Sequence, residues 1–396
     1  MHIPFCVRKC AYCDFLSGPA DDQTKRAYAD ALVREMRSVK EKYSNYRVDT
    51  VFLGGGTPSI LEGDETARIF HALSEDFDIS PDAEITMEVN PGTVSAEKAE
   101  TWKACGVNRL SIGLQSADDG ELKMLGRIHT FGQFLETWEI IRRAGFDNVN
   151  IDLISALPGQ TAESWAKTLH TAAELGPEHI SAYSLIVEEG TPFYEIYGEP
   201  EQGVQARSAA GQGRVLPPLP DEDEERGIYQ ATKEILDRYG YHRYEISNYA
   251  KEGYECRHNL GYWERKEYLG LGLGAASLVR ERRFHNTADM EKYMGIFGEA
   301  KGGISDPASG EGAAEDFEEL TLNDRMEEFI FLGLRKMEGI SEQDFRRIFG
   351  KEIRQVYKDQ IKKLTEQGLL AGAEGRIFLT ERGIDISNYV FSEFIF

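Results

Sequence analysis

The sequence predicts an α/β protein: repeated βα units around a parallel sheet, followed by a smaller helical, winged-helix-like module. Three observations carry this. From residue 1 to about 200, short β-branched apolar runs alternate with longer amphipathic ones. Polar residues and glycines cluster just after the strand-like runs, at the end where parallel barrels build their sites. Beyond residue 320, three helical patterns precede a strand-like run, the order of a winged helix.

At 396 residues the chain exceeds what one core usually holds, so two domains or a barrel with an appendage are expected. The first unit, residues 1–198, should contain six strands, over 2–5, 50–53, 84–89, 109–113, 148–154 and 180–185. Between the first two, Tyr28, Leu32, Met36, Val39 and Tyr43 recur at three to four residues and mark the buried face of a helix. Residues 199–226 read as a linker, in which Gly203, Gly211, Gly213, Pro217, Pro218 and Pro220 lead into a solvated acidic run, Asp221-Glu222-Asp223-Glu224-Glu225.

An extension over 227–297 follows, opening on a helix at 228–238 and unusually rich in Tyr, His and Trp. Its run Leu269-Gly270-Leu271-Gly272-Leu273-Gly274-Ala275 is preceded by polar residues rather than a buried strand, so it is not a dinucleotide fingerprint. Alternating Leu and Gly reads instead as a strand whose small face meets a neighbour or a ligand. Residues 298–319 form a second linker, with Gly302, Gly303, Pro307, Gly310 and Gly312 ahead of the acidic run Glu315-Asp316-Phe317-Glu318-Glu319. The terminal module, 320–396, should hold helices over 323–337, 341–349 and 351–367 and a strand over 376–380, with Ser341 and Asp344 as a helix start.

Composition narrows the function. Forty-five Lys and Arg against 68 Asp and Glu give a net charge of −23, which opposes binding to a polyanion, so nucleic acid is not an expected partner. The terminal module has no concentrated basic face, and protein contact suits it better than DNA. No window approaches 18 uninterrupted apolar residues, so an integral membrane protein is not expected. Five cysteines and no secretory leader point to a reducing, cytoplasmic setting where structural disulfides are rare.

The chemistry concentrates near residue 1. Cys6, Cys10 and Cys13 stand at a C-x3-C-x2-C spacing, which lets one short loop turn three thiolates toward a polynuclear metal centre. Iron–sulfur cubanes normally take four thiolates, so three leave one iron open to a further ligand. A zinc site completed by His2 or His258 is the plainer alternative. Gly54-Gly55-Gly56-Thr57-Pro58 follows the second strand and would bring the backbone close to a ligand and expose its amides, or would simply turn the chain.

The cysteine loop with Tyr12, the Gly-Gly-Gly-Thr-Pro run, Glu88-Val89-Asn90-Pro91, Ser111-Ile112-Gly113-Leu114-Gln115-Ser116, Leu125-Gly126-Arg127-x-His129 and Asp152-Leu153-Ile154-x-x-Leu157-Pro158-Gly159 together resemble the radical S-adenosylmethionine (SAM) superfamily. The resemblance is to the branch that holds anaerobic coproporphyrinogen III dehydrogenase and a haem chaperone, and it spans nearly the whole chain. It implies a partial (βα)6 TIM-like barrel, a [4Fe–4S] cluster on Cys6, Cys10 and Cys13, and SAM chelating the open iron. It further implies that Tyr12, Gly55, Gly56, Thr57, Glu88, Gln115, Arg127 and Asp152 line the SAM site. An electron donor for the cluster would be a partner.

Two features divide the branch. The dehydrogenase type carries a fourth cysteine where this chain has Phe15, whereas the chaperone type carries His-Asn-x-x-Tyr-Trp, found here as His258, Asn259, Tyr262 and Trp263. The resemblance therefore implies haem as cargo, handed to acceptor proteins in the cytoplasm or at the inner face of the membrane. It also implies a Tyr ahead of His2 that this chain does not include, so a curtailed first strand is expected. An imidazole among aromatic rings suits haem, with His258 as the iron ligand and Cys256 as a competing thiolate. Without that motif the residues alone read first as a packed aromatic cluster with a hydrogen-bonded histidine. A zinc-stabilised binding module without catalysis, and a radical oxidase acting on a porphyrinogen propionate, are the other readings.

Overall fold

The computed structural model describes residues 1–198, 217–298 and 313–395. Six parallel strands come first: β1 (His2–Ile3), β2 (Arg47–Gly55), β3 (Asp78–Val89), β4 (Arg109–Gln115), β5 (Val149–Ser155) and β6 (His179–Ser184), paired in sequence order. Between and after them run α1 (Asp22–Val39), α2 (Gly63–Asp76), α3 (Ala96–Ala104), α4 (Asp119–Met124), α5 (Phe131–Arg143), α6 (Ala162–Glu174) and α7 (Pro192–Tyr197). Short polar caps start these helices. Asp21, Ser95, Thr130 and Thr161 each accept a backbone N–H of the first turn. All six expected strands are present, with β1 reduced to two residues that pair with Gly54 and Gly55.

The strands divide their two faces sharply. Outward-facing Leu53, Met87, Leu110, Ile112, Ile151, Leu153 and Ile180 are fully buried against Leu32 and Met36 of α1, Ile69 of α2, Trp102 of α3, Phe134 of α5 and Trp165 of α6. Inward-facing positions are polar: Glu84, Thr86 and Glu88 on β3, Arg109 and Ser111 on β4, Asn150 and Asp152 on β5, His179 and Ser181 on β6. The apolar burial that stabilises the barrel therefore lies between strands and helices, at about 25 cal/mol per Å².

Next come α8 (Glu222–Arg238), β7 (His242–Arg243), β8 (Asn248–Ala250) and α9 (Arg257–Trp263). Strand β8 runs antiparallel to β6 and β7 closes the eight-stranded order. The acidic run at 221–225 is not a loop. Asp221 caps α8, accepting from Asp223 and Glu224 amides, and the following carboxylates occupy the first turn, where the helix dipole favours negative charge. The remaining linker glycines, Gly203, Gly211 and Gly213, lie outside the described residues.

The Leu-Gly run at 269–275 is irregular rather than a strand. Gly272 and Gly274 adopt φ of +97° and +64°, and a Cβ on Gly272 would fall 2.6 Å from the His2 carbonyl. Its small face does meet a neighbour: Leu271 and Leu273 carbonyls are bound by the backbone amide and ring of His2. Strands β9 (Ala276–Val279) and β10 (Arg282–Asn286) form a hairpin, α10 (Met290–Phe297) follows, and β11 (Ala314–Glu319) pairs antiparallel with β10. The second acidic run is thus an exposed edge strand, not a linker, and Glu318 and Glu319 stand opposite Arg283 and Arg282. Gly302, Gly303, Pro307, Gly310 and Gly312 lie outside the described residues.

The C-terminal region packs α11 (Leu322–Gly333), β12 (Ile340–Ser341), α12 (Glu342–Phe349), α13 (Ile353–Val356), α14 (Lys358–Glu366), β13 (Leu370–Ala373), β14 (Arg376–Leu379), α15 (Glu381–Asp385) and α16 (Ser387–Ser392) around its own core of Ile330, Phe345, Tyr357, Leu364 and Ile377. Ser341 caps α12 through the Asp344 amide, as its spacing predicts. The single helix expected over 351–367 is broken at Tyr357, whose backbone leaves the helical region to bury its ring among Phe345 and Phe394.

Candidate functional site

The cysteine loop leaves β1 and is pinched shut at its base, where Cys6 N–H donates to the Gly18 carbonyl (3.0 Å) and Gly18 N–H to Pro4 (3.1 Å). Its far side is tied to the barrel: Ala11 N–H donates to Leu125, Phe193 N–H to Ala11, and Arg8 to the Gly126 carbonyl. Tyr12 packs with Leu125, Ile154, Leu157 and Phe193. Cys6 and Cys13 thiols are both pushed up, first by burial and further by the neighbouring Cys10 sulfur. All five cysteines are free thiols.

Asn90, at the end of β3, is the hub that joins this loop to the strand ends. Its amide donates to Thr57 Oγ1 (2.6 Å), and its oxygen accepts from Arg127 Nη2 (2.7 Å). Arg127 also donates to the Gly113 carbonyl, and its Nη1 lies 3.8 Å from Cys10 Sγ. Gly113 leaves room for this: a Cβ there would fall 2.9 Å from Gln115 Nε2 and 3.3 Å from Arg127. Gln115 itself takes a φ of +71°, turning the end of β4 inward across a register shift.

The glycine run does not expose its amides. Gly55 N–H donates to Glu88 Oε2 (2.9 Å), Gly56 N–H to Ile3 and Thr57 N–H to Phe5. A Cβ on Gly55 would fall 1.8 Å from the His2 ring, and one on Gly56 2.5 Å from the Phe5 carbonyl. The glycines are needed because β1 presses on this turn. What faces the barrel mouth is the Glu88 carboxyl, pushed up to about 7 by burial and then by Asp152. Asp152 is likewise raised by burial, against hydrogen bonds from Ser111 and Asn150.

Below Asp152 the hydrogen bonds run in one direction. Asn150 spends its amide on Ser111 and Asp152, so its oxygen must accept from His179 Nδ1 (2.6 Å). Burial keeps His179 neutral, which leaves Nε2 to accept from the Tyr244 hydroxyl (2.8 Å). Tyr244 in turn accepts the Cys256 amide at the start of α9.

Helix α9 carries the second group of predicted residues. His258 stacks on Phe52 of β2 (5.1 Å, 22°), and its ring nitrogens meet Thr50 Oγ1 (2.8 Å) and the Tyr262 hydroxyl (3.1 Å). Burial depresses its basicity to about 3, so the imidazole is neutral. His258 and Tyr262 line a cavity of about 880 Å³ along the open edge of β2, with Tyr43, Phe52, Tyr268 and Leu269 among its apolar walls. Asn259 and Trp263 do not line it; the Trp263 ring lies under Arg335 (4.4 Å). Cys256 is fully buried against Glu84 and is also absent from the cavity wall. Thr50 and Phe52 were not predicted, although their alternation along β2 places them on its inward face.

The chain thus places a three-thiol loop at a barrel mouth with paired carboxyls, and a histidine helix beside an aromatic cavity. Residues 1–172 match the Radical SAM superfamily and residues 320–386 the HemN C-terminal domain. Over 396 residues the chain is 35% identical to "Heme chaperone HemW" of Bacillus subtilis (strain 168), covering 100% of this chain and 98% of that one. It is 34% identical to "Heme chaperone HemW" of Lactococcus lactis subsp. lactis (strain IL1403), covering 100% and 96%. A solved structure, "Coproporphyrinogen III oxidase (HemN) from Escherichia coli is a Radical SAM enzyme", shares the fold with a TM-score of 0.81 at 23% identity, over 100% of this chain and 88% of that one. The chain belongs to the HemW family within the radical SAM superfamily.

Proposed function

We propose that this protein is a haem chaperone of the radical SAM type, which holds haem and delivers it to acceptor haemoproteins such as respiratory enzymes. The observation that carries the reading is His258, a neutral imidazole at the wall of a large aromatic cavity, in the motif that marks the chaperone type. Ligand pockets of this kind are mostly apolar with a few placed polar groups. Haem reaches its acceptors in the cytoplasm or at the inner face of the membrane; among the described residues no helix is long and apolar enough to cross one.

The donor set fits a [4Fe–4S] cluster and SAM. Three thiols on one closed loop suit a cluster, in which each binds a separate iron. Cys6, Cys10 and Cys13 would hold it; when bound and reduced, the cluster supplies the electron for SAM chemistry. Glu88, pushed up to about 7 by burial, would face the cationic amino group of a bound SAM, and Tyr12 packs beside the loop. Asp152 and Gln115 offer polar edges for ribose or adenine. Arg127 is engaged by Asn90 and Gly113, so it acts chiefly by positioning the loop and adding charge near Cys10. Gly55, Gly56 and Thr57 shape the floor rather than donate to the ligand.

Phe15, exposed at 61%, occupies the loop position where the dehydrogenase type carries a cysteine. Its ring supplies neither a thiol nor a proton. Anaerobic reconstitution with iron and sulfide, followed by assays for haem binding, deoxyadenosine and coproporphyrinogen decarboxylation on one sample, tests the function. The expected result is haem binding with no porphyrin product; decarboxylation without haem binding would replace the chaperone reading by the oxidase one.

A further inference from the structure

Helix α9 is only seven residues long and cannot hold its own shape, since isolated helices under about 12 residues are marginal in water. It has no side-chain N-cap of its own. The barrel provides one. Glu84 of β3, 6% exposed, accepts the Arg257 amide with Oε2 (2.9 Å) and the His258 amide with Oε1 (3.0 Å), and Cys256 Sγ donates to the same carboxylate. The buried Arg109 guanidinium on the adjacent strand supplies the opposing charge.

The other end is held by the C-terminal region. Arg335, just past α11, covers the Trp263 ring, and its charge also faces the buried carboxyl of Glu245. Arg265, in a left-handed conformation at φ +55°, donates Nε to Glu328 of α11 (2.7 Å), which is 5% exposed and also receives Arg283. Lys336 reaches Glu264 at 3.6 Å. Buried charge-assisted bonds of this kind fix geometry more firmly than surface pairs.

We propose that the C-terminal domain is a positioning module for the haem helix: Glu84 clamps the first turn of α9 from the barrel, Arg335 and Glu328 clamp its end, and together they set the direction of the His258 ring. This rests on the haem reading above. It assigns Trp263 to the clamp rather than to the haem face, and it gives the domain a task within its own chain.

The test uses the full chain. Arg335→Ala and Glu84→Gln should each weaken haem binding by about tenfold and broaden or shift the Soret band, with cluster iron unchanged, while Arg335→Lys, which keeps the cation, should recover most of the loss. A readout without haem keeps the proposal open to refutation if Glu84→Gln folds poorly: amide exchange over residues 257–264 should quicken in Arg335→Ala, but not in the rest of the barrel. Wild-type haem spectra and wild-type exchange in Arg335→Ala, alongside haem loss in His258→Ala, would overturn the clamp and leave the haem site standing. Unchanged haem binding in His258→Ala would overturn both.

Discussion

Alanine at Cys6, Cys10 or Cys13 is expected to leave the reconstituted protein without its cluster, a loss of about four irons and four sulfides per chain. Each of the three thiols has its own position on a loop that is closed at Gly18 and anchored at Leu125 and Phe193, so no neighbour can swing in to replace it. The remaining two cysteines cannot substitute. Cys105 terminates α3 on the outer layer and Cys256 lies under α9, so alanine at either should leave iron and sulfide unchanged. Metal and sulfide analysis after anaerobic reconstitution decides the matter. Full occupancy by zinc in place of iron would sink the cluster.

The second large effect is expected at His258. Its replacement by Ala should weaken haem binding by at least about tenfold and shift the Soret band, with the cluster intact. Cys256→Ala should do neither, because its thiol is buried, donates to Glu84 and is pushed up to about 11, so it is not a ready thiolate. The two ring contacts of His258 refine the prediction. A nitrogen that meets iron must give up its hydrogen bond, so Tyr262→Phe, which frees Nε2, should not weaken binding, whereas Thr50→Val, which releases Nδ1, should. Unchanged binding in His258→Ala with loss in Cys256→Ala would move the iron to the thiol.

Much of this architecture is legible in the amino-acid order because it is local. The six strands follow from the alternating apolar runs, and the helix start at Ser341 follows from its cap. The cysteine loop and the His258 motif are written as contiguous runs. What escaped depends on distant chain. That Arg335 of the C-terminal region covers the Trp263 ring could not be read from the local motif. The glycines at 54–56 look like a ligand cradle until His2 and Phe5 fill the space. The acidic run at 221–225 is solvated, as its charge suggests, but it forms a capped helix start rather than part of a linker.

The barrel's two-sided strands have a consequence for how such a protein can change over time. Cohesion is vested in the outward residues, Leu53, Met87, Leu110, Ile151 and Ile180, which are buried against the helices. The polar groups lie on the inward ones, Glu88, Ser111, Asp152 and His179, which contribute little apolar packing to the fold. A substitution on one face can therefore be selected with little regard to the other, and the lumen can be rewritten for a new reaction while the shell keeps its shape. The one-way bonds from Tyr244 through His179 and Asn150 to Asp152 limit this freedom. Those residues can be exchanged only as a set, because any single replacement strands a buried partner.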